Sequence, residues 1–127
     1  MKKIVLYLLT AAFLAACSNV MITGRKQLLL VNDAELLTMS LQSYKQFIDS
    51  VPASKDLKNK ALVQTTGVKI SKAVEEYMKA NGLEAELKNF QWEFNLVKDT
   101  TVNAFCMPGG KVVFYEGILP MTKTEAG

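Results

Sequence analysis

The sequence predicts an α+β domain in which two N-terminal helices precede a three-stranded antiparallel meander. Between residues 32 and 80, apolar residues recur at spacings of three and four, which is typical of amphipathic helices. From about residue 87 the pattern changes to strict alternation, which is typical of strands with one buried face. The length of 127 residues suits one small domain.

The first predicted helix begins at Asn32 and is closed by Pro52. Asn32 can cap the helix while Glu35 completes a capping box. Proline then ends the helix because it lacks a backbone N–H and clashes with the preceding turn. The expected apolar stripe consists of Leu37, Leu41, Tyr44 and Ile48.

The second predicted helix covers residues 56–80. Asn81 and Gly82 follow it and favour a left-handed stop. Gly67 lies within the apolar stripe, where glycine costs about 1 kcal/mol relative to alanine, so we expect a neighbouring element to approach closely there. The expected core stripe is Val63, Gly67, Ile70, Val74 and Tyr77.

The three predicted strands follow one another with short turns. Phe90, Trp92, Phe94 and Leu96 alternate with polar residues and define the first strand. Residues 98–101 form a turn, residues 102–107 a second strand, and residues 111–115 a third. Pro108 and Gly109 suit the central positions of a type II turn between the last two strands.

The N-terminal residues predict an export signal and a lipid anchor. Lys2 and Lys3 precede an apolar run that ends at Ala16, and such a helix would be about 20 Å long, too short to span a bilayer. The sequence Leu14-Ala15-Ala16-Cys17 resembles the lipobox of bacterial lipoproteins, which implies acylation of Cys17. We therefore expect a signal peptide over residues 1–16, a tether over 17–31 and a domain over 32–127.

The expected membrane partner of the chain is lipid, through acylated Cys17. Ser18 and Asn19 lack the aspartate that favours inner-membrane retention in enterobacterial lipoproteins. This pattern predicts attachment to the outer membrane of a bacterial cell envelope, facing the periplasm.

Composition excludes several functions. The chain has no histidine, which rules out Ser-His-Asp catalysis and imidazole-ligated metal within these residues. The net charge is +3, and it falls to +1 without Lys2 and Lys3, so no basic footprint for nucleic acid is expected. We expect no metal ligand and no catalytic residue in this chain, which should be inactive as an enzyme on its own.

The segments around the predicted strands resemble family forty-eight of the zinc metallopeptidases, which includes HtpX and the CaaX prenyl proteases. The resemblance covers residues 20–127 and is densest over 92–119. It rests on Trp92-Glu93-Phe94, on Val102-Asn103-Ala104-Phe105-Cys106-Met107-Pro108-Gly109-Gly110-Lys111-Val112-Val113, on Gly117-Ile118-Leu119 and on Thr23-Gly24-Arg25-Lys26-Gln27-Leu28.

This resemblance implies the N-terminal part of a zincin-like peptidase domain, incomplete over 32–127. In the family, a helix after this point carries His-Glu-x-x-His, whose histidines bind zinc and whose glutamate activates water. The chain ends at Gly127 without that motif. Zinc is therefore expected for the intact family domain, with no cofactor held by this chain.

Two functional hypotheses follow. One is the N-terminal part of a membrane-anchored zinc metalloendopeptidase that acts on envelope proteins in quality control. The alternative is a small non-catalytic envelope lipoprotein with a binding or scaffold role.

If the peptidase interpretation holds, an extended protein substrate could add to the strand over residues 102–107 or to the strand over residues 111–115, and Asn103, Ala104 and Phe105 are the candidate contact residues. A structural meander is the equally weighted alternative. We expect Cys106 to be a small buried strand residue, and Glu75 and Glu76 to lie on the helix surface.

Overall fold

The computed structural model describes residues 17–20, 23, 25–28 and 31–127. The chain forms two compact units, residues 1–35 and residues 36–127. The expected signal peptide over residues 1–16 lies outside the described residues.

The N-terminal unit contains a short antiparallel pair. Strand β1, Cys17–Asn19, pairs with β2, Lys26–Leu28. The Val20 N–H also donates to the Arg25 carbonyl at 2.7 Å. The segment expected as a tether, residues 17–31, thus includes two paired strands.

Two helices form where the sequence predicts them. Helix α1 is Asp33–Ser50, and its capping box is confirmed, because the Glu35 N–H donates to Asn32 Oδ1 at 2.8 Å. Helix α2 is Leu57–Ala80, and the Asp56 side chain caps it by accepting from the Asn59 N–H at 3.0 Å. Gly82 follows α2 with φ +73°, which confirms the left-handed stop.

Residues 93–115 form a three-stranded sheet. The strands are β3, Glu93–Val97; β4, Ala104–Met107; and β5, Lys111–Tyr115. Two 3₁₀ helices flank the sheet, Glu84–Asn89 before β3 and Glu116–Ile118 after β5. A short helix, α3, covers Leu119–Thr122.

The sheet is mixed, so the expected antiparallel meander is wrong. The strand order is β3-β5-β4, with β3 parallel to β5 and β4 antiparallel to β5. Residues 98–103 pass across the end of β5, where the Gly117 N–H donates to the Asp99 carbonyl at 2.9 Å. The apolar strand β5 thereby takes the central position, and β4 lies at an edge. Alternation of apolar and polar residues determines which face of a strand each side chain occupies, but not which strands lie next to each other. The sequence pattern therefore did not predict the strand order.

One face of the sheet packs against α1 and holds the main core. This α1 face includes Val97 and Val113, which are almost fully buried and contact Tyr44 of α1. The ring of Phe47 on α1 lies edge-on to Phe105 of β4, with centroids 5.1 Å apart. The stripe predicted for the first helix is therefore the surface that covers the sheet.

The opposite face packs against α2. This α2 face carries Phe94, Leu96, Val112 and Phe114 together with Ala104 and Cys106, as the cross-strand register requires.

The buried stripe of α2 is Val63, Gly67, Ser71 and Met78. Ile70 and Tyr77, which were expected in the core, are 57% and 51% exposed. Gly67 lets this part of the helix approach Phe94 of the sheet closely.

Among the residues that the structure describes, no helix combines the length and the hydropathy that a membrane crossing needs.

Candidate functional site

The outer edge of β4 is a free edge of the described sheet. At the other edge, residues 52–54 cover the end of β3: the Ser54 N–H donates to the Leu96 carbonyl at 3.0 Å, and the Lys98 N–H donates to the Pro52 carbonyl at 2.8 Å. No described strand pairs with the outer side of β4. An open strand edge is a ready template for pairing with another peptide.

The register of β4 shows which backbone groups point outward. Ala104 lies opposite Phe114, and the Tyr115 N–H donates to the Asn103 carbonyl at 3.1 Å. In an antiparallel ladder, facing residues alternate between pairs that exchange hydrogen bonds and pairs that do not. Because Asn103 and Tyr115 are hydrogen-bonded to each other, the next pair, Ala104 and Phe114, exchanges no hydrogen bonds. The N–H and C=O groups of Ala104 and Cys106 therefore point away from β5, toward the open edge.

The backbone groups of the three residues expected to contact a substrate point in different directions. Ala104 presents its backbone outward, whereas Phe105 directs its backbone groups to Val113 and its ring to Phe47. Asn103 precedes β4, and its carbonyl accepts a hydrogen bond from the Tyr115 N–H.

Cys106 is the residue that the sequence interpretation missed. It was expected to be buried, but its free thiol is exposed at the edge. Strand alternation would have revealed its outward backbone once the pairing with β5 was known.

The turn after β4 is held in place by α1. The buried Ser40 hydroxyl donates to the Pro108 carbonyl at 3.1 Å. Gly109 and Gly110 have φ +90° and +78°, and a Cβ at Gly109 would lie 3.0 Å from Leu37 of α1. Glycine is needed at these positions because other residues rarely adopt such angles, so the direction of β4 is fixed by its turn.

An apolar cavity of about 350 Å³ lies between α2 and the sheet. Phe94, Val112 and Phe114 form its floor on the α2 face, and Leu62 and Ile70 line the helix side. The Trp92 indole N–H donates to Glu75 at 2.9 Å beside it. Glu75, expected to be a surface residue, thus binds the side chain of Trp92, the residue immediately before β3.

A polar cluster occupies the α1 face. The Lys111 side chain is nearly fully buried, and its Nζ donates to Glu93 Oε1 and to the Gln91 carbonyl, both at 2.5 Å. The Tyr44 hydroxyl donates to Glu93 Oε2 at 2.9 Å and accepts from Asn95 Nδ2 at 2.6 Å. The cluster therefore joins α1, β3 and β5.

This arrangement shifts two ionisations in opposite directions. The hydrogen bond from Lys111 holds the pKa of the Glu93 carboxyl below its usual value. Burial, followed by the hydrogen bond and the charge of Glu93, raises the pKa of Tyr44 to about 12. Both shifts favour a charged carboxylate beside a neutral phenol.

Metal donors are sparse. In the described ranges, no group of three or more His, Cys, Asp and Glu side chains is placed to hold a metal ion.

Residues 65–127 match the sequence model of Peptidase family M48. We call residues 65–127, which are similar in sequence to that family, the M48 segment. M48 peptidases use zinc, but the donor set of the described M48 segment does not fit that ion, and the whole sequence lacks histidine. We therefore assign no zinc ligand to this chain.

Curated relatives of the chain are metalloendopeptidases. The chain is 39% identical over 62 residues to the mitochondrial metalloendopeptidase OMA1 of Schizosaccharomyces pombe, and this match covers 49% of the chain and 17% of that protein. It is 37% identical over 57 residues to the protein of the same name from Arabidopsis thaliana, covering 45% and 12%. Over 102 residues it is 30% identical to the metalloendopeptidase OMA1 of Danio rerio, covering 77% and 20%.

The chain spans a fifth or less of the length of these relatives. All three are named as mitochondrial, which contradicts the bacterial outer-membrane location expected from the N-terminal residues. No solved structure matches the chain significantly.

Proposed function

We propose that this chain supplies the substrate-binding strand of a zinc metalloendopeptidase. The observation that carries the proposal is the open edge of β4, whose outward backbone groups at Ala104 and Cys106 lie within the M48 segment. An extended polypeptide can add there as a fourth strand through main-chain hydrogen bonds. The three metalloendopeptidase relatives support proteolysis as the reaction.

Main-chain pairing suits a peptidase because it holds a substrate extended while demanding little of its side chains. The turn clamped by Ser40 keeps the edge in one direction before a peptide arrives, and such preorganisation lowers the cost of binding. The zinc ligands form no part of this assignment.

The test uses proline at the outward positions. Proline is tolerated on an edge strand where its missing N–H would face solvent, but there it removes one donor for an added strand. Cys106→Pro should therefore keep the fold of the full chain and abolish binding of a blocked seven-residue peptide of alternating valine and threonine. Cys106→Ser is the matched control, because it keeps the backbone donor and should bind the peptide like the wild type.

Binding would be measured by NMR titration and by protection of the Ala104 and Cys106 amides from hydrogen exchange. The Phe105 amide, which faces β5, is the internal control and should not change. Peptide binding by the Cys106→Pro variant at wild-type affinity would refute the edge assignment.

We also propose that the chain attaches to a membrane through a lipid on Cys17. The four residues that end in Cys17 support this modification, and two acyl chains would hold stably in a bilayer where one binds only marginally. Cys17→Ala should abolish incorporation of labelled fatty acid in cells that express the full chain, whereas Cys106→Ala should not. Undiminished labelling of the Cys17→Ala variant would exclude this site.

A further inference from the structure

The ammonium group of Lys111 is a buried charge whose hydration depends on α1. Its side chain is 3% exposed, and the Tyr44 ring of α1 covers it at 5.6 Å from Nζ to the ring centroid. A buried charge is tolerated only when it is paired and hydrogen-bonded. Glu93 provides the paired charge, and the Gln91 carbonyl provides a further acceptor.

Tyr44 links this pair to the helix. Its hydroxyl donates to the second carboxylate oxygen of Glu93, so one ionised carboxylate binds both the buried ammonium group and α1. Tyr44 is also the buried apolar residue of α1 in the main core, where Phe47 and Ile48 are only partly buried. The contact between α1 and the sheet is thus centred on a residue that depends on the charge of Glu93.

We propose that Tyr44, Glu93 and Lys111 form an acid-sensitive latch that holds α1 on the sheet. When Glu93 takes up a proton, Lys111 loses its counter-charge while still covered by Tyr44. The Tyr44 ring is the part of α1 that covers Nζ, so lifting α1 exposes the ammonium group to water. The helix therefore opens locally under acid conditions at which the sheet is still folded.

Other charged groups around the latch do not replace Glu93. Beside Tyr44 on α1, Lys45 and Asp49 pair with each other at 3.1 Å, with side chains 78% and 64% exposed. From β4, Lys111 is opposed by the uncharged Met107, and Asn95 of β3 is also uncharged. The titratable groups whose contacts with Nζ are described are Glu93 and Tyr44.

The latch is tested by native-state hydrogen exchange on the full chain between about pH 7 and pH 3.5. In the wild type, amides of α1 near Tyr44 should lose several-fold, and up to about tenfold, more protection than amides of β5 as the pH falls. Glu93→Gln should show the low α1 protection already at pH 7. Lys111→Met removes the buried charge, so α1 protection should stay high and no longer depend on pH.

Asp99→Asn is the control, because Asp99 also has a lowered pKa but owes it to Thr101 in an exposed turn. This variant should keep the wild-type pH response of α1. If Glu93→Gln does not fold, the double variant Glu93→Gln with Lys111→Met restores a neutral pair, and its α1 protection should be independent of pH. Equal loss of protection by α1 and β5 in the wild type, or a wild-type pH response in Lys111→Met, would overturn the latch.

Discussion

The ring of Phe94 lies directly against the backbone of Gly67, at a position where a side-chain Cβ would overlap it. Glycine is unfavourable inside a helix, so this contact explains its presence in α2. The close approach lets the helix cover the first strand of the sheet. It also confirms the expectation that a neighbouring element approaches Gly67.

Gly67→Ala should destabilise the chain. Alanine would favour the helix by about 1 kcal/mol, but overpacking against Phe94 costs about 1–3 kcal/mol, so the net loss should reach up to about 2 kcal/mol. Chemical denaturation would measure it. Gln64→Ala, at an exposed position on the same helix, should change stability by less than about 0.5 kcal/mol, and equal effects of the two substitutions would contradict the packing argument.

Ser40→Ala should loosen the turn between β4 and β5. The substitution removes the hydroxyl that donates to the Pro108 carbonyl at 3.1 Å, which should cost about 1 kcal/mol of unfolding free energy. Amide exchange at Gly109 and Gly110 should accelerate with it. Ser43→Ala, on the exposed side of the same helix, is the matched control and should leave the turn unchanged.

Tyr44 should make the chain sensitive to alkali. Because the pKa of its phenol rises from 10.0 to about 12 on folding, the folded state holds the proton more tightly than the unfolded state. The stability that this proton supplies is complete below pH 10 and is lost progressively between pH 10 and about 12. Urea unfolding at pH 9 and pH 11.5 should show that loss.

Tyr44→Phe should reduce the alkaline response, since phenylalanine has no proton to lose. The control is Tyr77→Phe, at a residue of α2 that is 51% exposed, which should leave the alkaline response unchanged. A response as steep in Tyr44→Phe as in the wild type would show that other groups govern it.

The chain should bind zinc only weakly. The sequence contains no histidine, and the described residues offer no cluster of three donors, so affinity should be weaker than about micromolar, as for surface carboxylates. Equilibrium dialysis followed by elemental analysis measures the bound metal. Stoichiometric zinc at micromolar concentration would reveal a ligand set that this structure does not explain.

The sequence by itself determined the local elements of this protein. The capping residues Asn32 and Asp56 and the left-handed Gly82 act within one turn of chain, so both helices begin and end close to the predicted positions. The alternation through Phe94 and Leu96 likewise predicted the strand, but the expectation of one buried face is wrong, because the adjacent residues Leu96 and Val97 point to opposite faces and both are buried. The resemblance of residues 92–119 to a metallopeptidase family agrees with the family match over 65–127.

Only the tertiary structure decided which strands are neighbours and which groups remain free. Placing β5 between β3 and β4 depends on the path of residues 98–103 across its end, and no periodicity encodes that path. That order leaves Ala104 and Cys106 with outward backbone groups and brings Lys111, Glu93 and Tyr44 into one cluster. These relationships join residues 18 to 67 positions apart, and their partners are selected by packing of the whole domain rather than by local preference.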